Sequence, residues 1–178
     1  MATSEYHFIT HWRAAASAAE VYDLLADPLD LPRWWPAVYL EVNELEAGAP
    51  GGVGRHIGLY TKGWLPYTLR WSFRVVSADR PRGFEIRAEG DFVGRGIWTF
   101  EPDGAGTRIT YDWKIQAEKP LLRRLTFLLR PLFSANHRWA MARGEESLNL
   151  ELARRRARTP EERALVPAPP GPTFVRRR

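Results

Sequence analysis

The chain of 178 residues has no cysteine. That excludes disulfides, thiolate metal sites and a cysteine nucleophile. Its start, MATSEYHF, lacks the basic-then-apolar pattern of a secretory signal, and no apolar run approaches the roughly 20 residues needed to span a bilayer. A cytoplasmic protein is expected. Basic charge looks abundant at +5 net, but eight Arg of residues 153–178 face only Glu161 and Glu162. That stretch holds +6, which leaves residues 1–152 at about −1. The basicity belongs to the tail, and a specific nucleic-acid partner is not expected. Metal-binding patterns are missing as well. His7 and His11 share a strand face but stand about 13 Å apart by strand rise, too far to share an ion. No metal and no cofactor is expected.

What is present is an apolar, aromatic-rich chain, 44% hydrophobic with eight Trp, long enough for one well-buried core. Residues 5–14 alternate as a strand, with Phe8, Thr10 and Trp12 on one face and His7, Ile9, His11 and Arg13 on the other. Ser17 and Glu20 form a capping box that opens a short helix, which Asp27-Pro28 ends. Room for one further turn remains before Pro36. Six strands then follow, separated by turn signals: 39–45, 54–62, 67–78, 84–92, 94–101 and 107–117. The short connections predict an antiparallel meander. Their inward faces carry Trp71, Phe73, Phe84, Trp98, Phe100, Tyr111 and Trp113, interrupted by Gly90, Gly94 and Gly96, where glycine favours curvature.

A long helix from Leu121 to about Arg156 closes the chain. Its stripe of Phe133, His137, Ala140, Gly144, Leu148 and Leu152 recurs at helical spacing. Ala140 and Gly144 put almost no bulk against the sheet, so a cavity is expected beneath them. Residues 159–178, with five prolines and no apolar periodicity, read as a basic, Pro-rich disordered tail.

The order of these elements, with the stretches SAAEVYDLLAD, LPRWWPAV, GVGRHIGL, GRGIWTFEPDGAGTRITYDW and MARGEESLNLELARR, resembles the START-like, birch-pollen-allergen-like (SRPBCC) superfamily. Within it the chain is similar to the polyketide cyclase/dehydrase and lipid-transport group. The resemblance covers residues 5–156 and supplies no catalytic motif to transfer. It implies an α+β helix-grip fold: a curved antiparallel seven-stranded sheet wrapped around a long C-terminal helix, with two short helices between strands 1 and 2. Residues 1–158 would form the helix-grip ligand-binding domain and 159–178 the tail. Pro131, inside the C-terminal helix, should kink or split it.

Candidate ligand-binding residues are Trp34, Trp35, Trp71, Phe73, Trp98, Tyr111, Trp113, Ala140 and Gly144. In a helix-grip fold the Trp34-Trp35 pair lies near one mouth of the cavity, where it either meets ligand or plugs the core. His56 and His137 are the histidines expected to face inward. His137 and Tyr111 are the candidate catalytic pair, as proton acceptor and phenolic donor. The expected function is binding of a small hydrophobic ligand, aromatic, polyketide-like or lipid. The alternatives are a cyclase/dehydratase that uses the same cavity and a lipid carrier that docks on membrane through Leu121, Leu125, Leu128 and Leu132 with Arg123, Arg124 and Arg130 beside them. The sequence does not specify an oligomeric state.

Overall fold

The computed structural model describes residues 5–117 and 120–174; the side chains of residues 117 and 120–129 lie outside that description. Strand β1 (Glu5–Ala14) leads into helix α1 (Ala18–Leu25), a 3-10 turn (Pro28–Asp30) and helix α2 (Leu31–Trp34). The strands β2 (Tyr39–Glu46), β3 (His56–Lys62), β4 (Thr68–Asp79), β5 (Gly83–Gly90), β6 (Phe92–Asp103) and β7 (Gly106–Ala117) follow in turn. Helices α3 (Pro120–Arg156) and α4 (Pro160–Leu165) complete the chain.

All seven strands form one antiparallel sheet in the order β1-β7-β6-β5-β4-β3-β2, so only β1 leaves sequence order to pair with β7. The inner face of the sheet packs on α3, giving the helix-grip arrangement that the sequence predicts. The strand alternation holds: on β1, Tyr6, Trp12 and Ala14 are buried while His7, Ile9, His11 and Arg13 are exposed. Ser17 and Glu20 close the capping box, and Glu20 also binds Arg156 at the far end of α3, 2.8 Å away.

At its C-terminal end α3 is held to the short helices through charge. The buried Glu151 accepts from Arg33 at 2.6 Å and from Arg155 at 2.9 Å. Burial alone would raise its pKa, but these hydrogen bonds hold it at about 2. Leu148 and Leu152 of the stripe are buried in a core that includes Trp34, Leu24 and Ile109.

Three expectations are corrected. Pro131 neither splits nor ends α3, which runs unbroken past it. The proline lies on the exposed side, where water can satisfy the carbonyl that its ring leaves without a donor. The fifth strand ends at Gly90, and Phe92 begins the next one. Gly90 has φ +109°, and a side chain there would meet the Trp71 backbone at 2.8 Å, so this glycine makes the turn. His56 faces outward, where its Nδ1 lies 3.1 Å from Arg74 and 3.6 Å from Glu46. Residues 159–174 carry α4 and the stretch of chain that follows it. Thr159 caps α4, Arg154 donates to the Pro167 carbonyl at 2.8 Å, and the Thr173 hydroxyl donates to the carbonyls of Gly63 and Trp64. Backbone carbonyls, rather than apolar burial, hold this segment, so apolar periodicity could not reveal it.

Candidate functional site

A cavity of about 130 Å³ lies between the sheet and α3. Strand alternation brings Phe8, Tyr111 and Trp113 to its wall from adjacent strands, and α3 brings Phe133, His137, Ala140 and Met141. The wall is mostly aromatic. Tyr111 stacks on Trp113 with centroids 5.5 Å apart, and Trp71 tilts against Trp113 at 5.6 Å. Gly96 makes this stack fit: a Cβ there would stand 2.8 Å from the Tyr111 hydroxyl and 2.9 Å from the Trp113 ring.

Of the expected ligand-binding residues, Trp35, Trp71, Tyr111, Trp113 and Ala140 line the cavity, whereas Trp34, Phe73, Trp98 and Gly144 do not. Trp34 is fully buried and stacks on Trp35, so it serves as a plug. Trp98 shares the inner face but is wedged between Trp12 and Phe84. Phe73, on the same face of β4, is half-buried beside Trp71.

Gly144 is the clearest correction. A Cβ on it would come within 2.3 Å of the Trp35 indole. The missing bulk is filled by that ring, which leaves only Ala140 facing open space. The bulge against the helix comes from the segment after α2 rather than from the sheet, so a search for a sheet residue opposite Gly144 could not find it.

The polar groups of the wall are sparsely paired. The Tyr6 hydroxyl, the Trp35 Nε1 and the His137 Nε2 are buried without a hydrogen-bond partner among the described residues. Burial raises the Tyr111 hydroxyl well above its ordinary pKa, with the nearby Tyr39 adding to it. Burial likewise pushes His137 down to about 4, helped by the Arg138 charge. Its imidazole lies flat on Phe8, with centroids 4.1 Å apart and planes 18° apart. The two candidate catalytic residues therefore share one cavity, both neutral at pH 7.

Sequence reasoning missed Tyr6, Thr61, Lys62 and Tyr67 as site residues, all on the wall, where Asn136 stands as well. The alternation that yielded Trp12 also places Tyr6 inward and was the available signal. For Lys62, a charged strand end, no such signal exists. Among the described residues no group of three or more His, Asp or Glu could hold a metal ion. No helix of the described residues is long and apolar enough to cross a membrane. In the expected membrane-docking segment, the side chains of Leu121, Arg123, Arg124, Leu125 and Leu128 lie outside the described residues.

Comparison with known proteins agrees with this architecture. The structure superposes on the TTHA0849 protein of Thermus thermophilus with a TM-score of 0.66 and 18% identity, covering 86% of this chain and 99% of that one. The Zhui aromatase/cyclase of a Streptomyces species gives 0.66 and 19%, covering 86% and 97%. A norcoclaurine synthase of Thalictrum flavum, solved with a transition-state analogue, gives 0.61 and 15%, covering 88% and 99%. At these identities the likeness shows the fold alone. No curated protein sequence matches the chain. The family model described as polyketide cyclase / dehydrase and lipid transport matches residues 9–148. The chain belongs to that family.

Proposed function

We propose that the protein binds a small hydrophobic, ring-containing molecule in the cavity between sheet and α3 and acts as a binder or carrier. The observation that carries this reading is the wall itself. Aromatic rings surround a space of about 130 Å³, while the Tyr6 hydroxyl and His137 Nε2 point to no protein partner among the described residues. Leaving buried polar atoms unpaired costs about 1–3 kcal/mol each, a cost that a ligand with its own polar atoms offsets. An engineered apolar cavity of about 150 Å³ accepts benzene, so one ring fits and a polycycle requires the walls to move.

A cyclase/dehydratase reading is supported by the presence of His137 and Tyr111 in one cavity and by the family, but the electrostatics weigh against it. General bases work best with a pKa near the operating pH. His137 at about 4 is neutral but a poor proton acceptor. Tyr111 remains a competent hydrogen-bond donor to a carbonyl oxygen of a bound molecule.

Native mass spectrometry of the purified protein tests the binding reading. A co-purifying molecule of ring-containing, mainly apolar composition is expected. A reproducible spectrum of bare protein, with no uptake of small aromatic probes, would count against it.

A further inference from the structure

Lys62 ends β3 on the cavity wall and is only 7% exposed. So enclosed a lysine is rarely left without a carboxylate beside it. None of the described residues lining the cavity is Asp or Glu, and Lys62 forms no ion pair among the described residues. Burial lowers its pKa, with no acidic neighbour to offset the loss of solvent. Its ammonium donates instead to the backbone carbonyl of Thr173, with the Phe174 ring 5.4 Å from Nζ.

That carbonyl comes from the strap of chain that follows α4. The strap is pinned at one end by Arg154 on the Pro167 carbonyl. At the other end the Thr173 hydroxyl donates to Gly63 and Trp64 at 3.3 and 3.2 Å. A neutral carbonyl offers a buried cation only a partial charge, so the contact is weaker than a carboxylate would give.

Two further donors share this wall. The Asn136 carboxamide oxygen accepts from the Leu65 N–H at 3.2 Å, and its NH2 makes no hydrogen bond among the described residues. The Thr61 hydroxyl accepts from the Trp71 indole at 3.0 Å, which leaves its own hydrogen to donate. One cationic residue and two with neutral donors therefore line an aromatic cavity whose described lining has no acid. The complement is an anion with an apolar body.

We propose that Lys62 seats the head of an amphipathic carboxylate whose apolar part fills the cavity, and that the Thr173 carbonyl is the group the carboxylate displaces. This rests on the binding reading above and adds the ligand's charge and the strap that competes with it. A carboxylate is compact enough to take the carbonyl's place, and it can accept from Lys62 and Asn136 together.

The test is calorimetric titration of the full chain at pH 7 with 3-phenylpropionate and with its neutral counterpart, 3-phenylpropionamide. The acid is expected to bind about 10- to 100-fold more tightly, the range for a charge-assisted hydrogen bond. Lys62→Met should bring the two affinities together, and Lys62→Arg should retain most of the preference. Thr173→Val, which removes both hydroxyl bonds of the strap, should strengthen binding of the acid more than of the amide. Equal affinity of the unaltered protein for both probes, or a preference that survives Lys62→Met, overturns the proposal and leaves the cavity reading standing. An acid-to-amide ratio unchanged by Thr173→Val overturns the strap's part in it. Failure of both probes to bind overturns the cavity reading and the proposal together.

Discussion

A histidine on an apolar helix stripe can serve as a proton carrier or as a flat packing surface, and its stack on Phe8 favours the second use for His137. The sequence placed the residue on the right face, because helical spacing determines direction. It could not supply the burial that lowers the pKa, because burial depends on what the opposite wall contributes. The same limit applies to Trp98 and Phe73. Strand parity showed that they face inward but not how far along the sheet the cavity extends. The lowered pKa of His137 carries a stability consequence with a definite sign. Its pKa is about 4 in the folded chain against an ordinary 6.5, so the unfolded chain takes up the proton first as pH falls. The stability contributed by the neutral ring is complete above pH 6.5 and is lost progressively as pH falls towards 4. Glu151, held at about 2, acts in a lower window, below its ordinary value of 4.5. Thermal melts should therefore fall more steeply between pH 6.5 and 4 for the unaltered protein than for His137→Gln. Parallel curves would show that the ring is not buried as described.

At the scale of elements, α3 was legible from its stripe, and the strands from their alternation and turn residues. Two things were not. Pro131 suggested a break because its ring removes one backbone hydrogen bond, but the helix continues past it and the proline sits towards solvent. The gap at Gly144 suggested space, but Trp35, the residue that ends α2, fills it. Two elements far apart in sequence meet at that point, and no pattern within either one records the meeting. Gly144→Leu should therefore act on helix–core packing. A new branch within 2.3 Å of an indole must push α3 or the tryptophan aside, at about 1–3 kcal/mol for an overpacked site. For a chain of this size that lowers Tm by roughly 2–4 °C per kcal/mol. An unchanged Tm would mean that open space lies there after all.

For the whole molecule, the order of strands and helices pointed to an α+β meander closed by one long helix, and the resemblance carried by that order together with motifs such as SAAEVYDLLAD implied the helix grip. The return of residues 166–174 to the β3–β4 turn was hidden. That path is made by backbone carbonyls, Arg154 and one threonine hydroxyl, none of which leaves a periodic trace. If the space beneath Ala140 receives a ring, filling that space must abolish binding. Calorimetric titration of 3-phenylpropionamide into the unaltered protein and into Ala140→Phe measures this directly, with thermal melts confirming that both are folded. A phenyl group placed at residue 140 would occupy most of a cavity of about 130 Å³. Binding to the unaltered protein is expected, with at least a tenfold loss in the variant, about 1.4 kcal/mol, and Tm unchanged or raised. Equal binding to both proteins would contradict a ring-filled cavity, because the probe would then sit elsewhere.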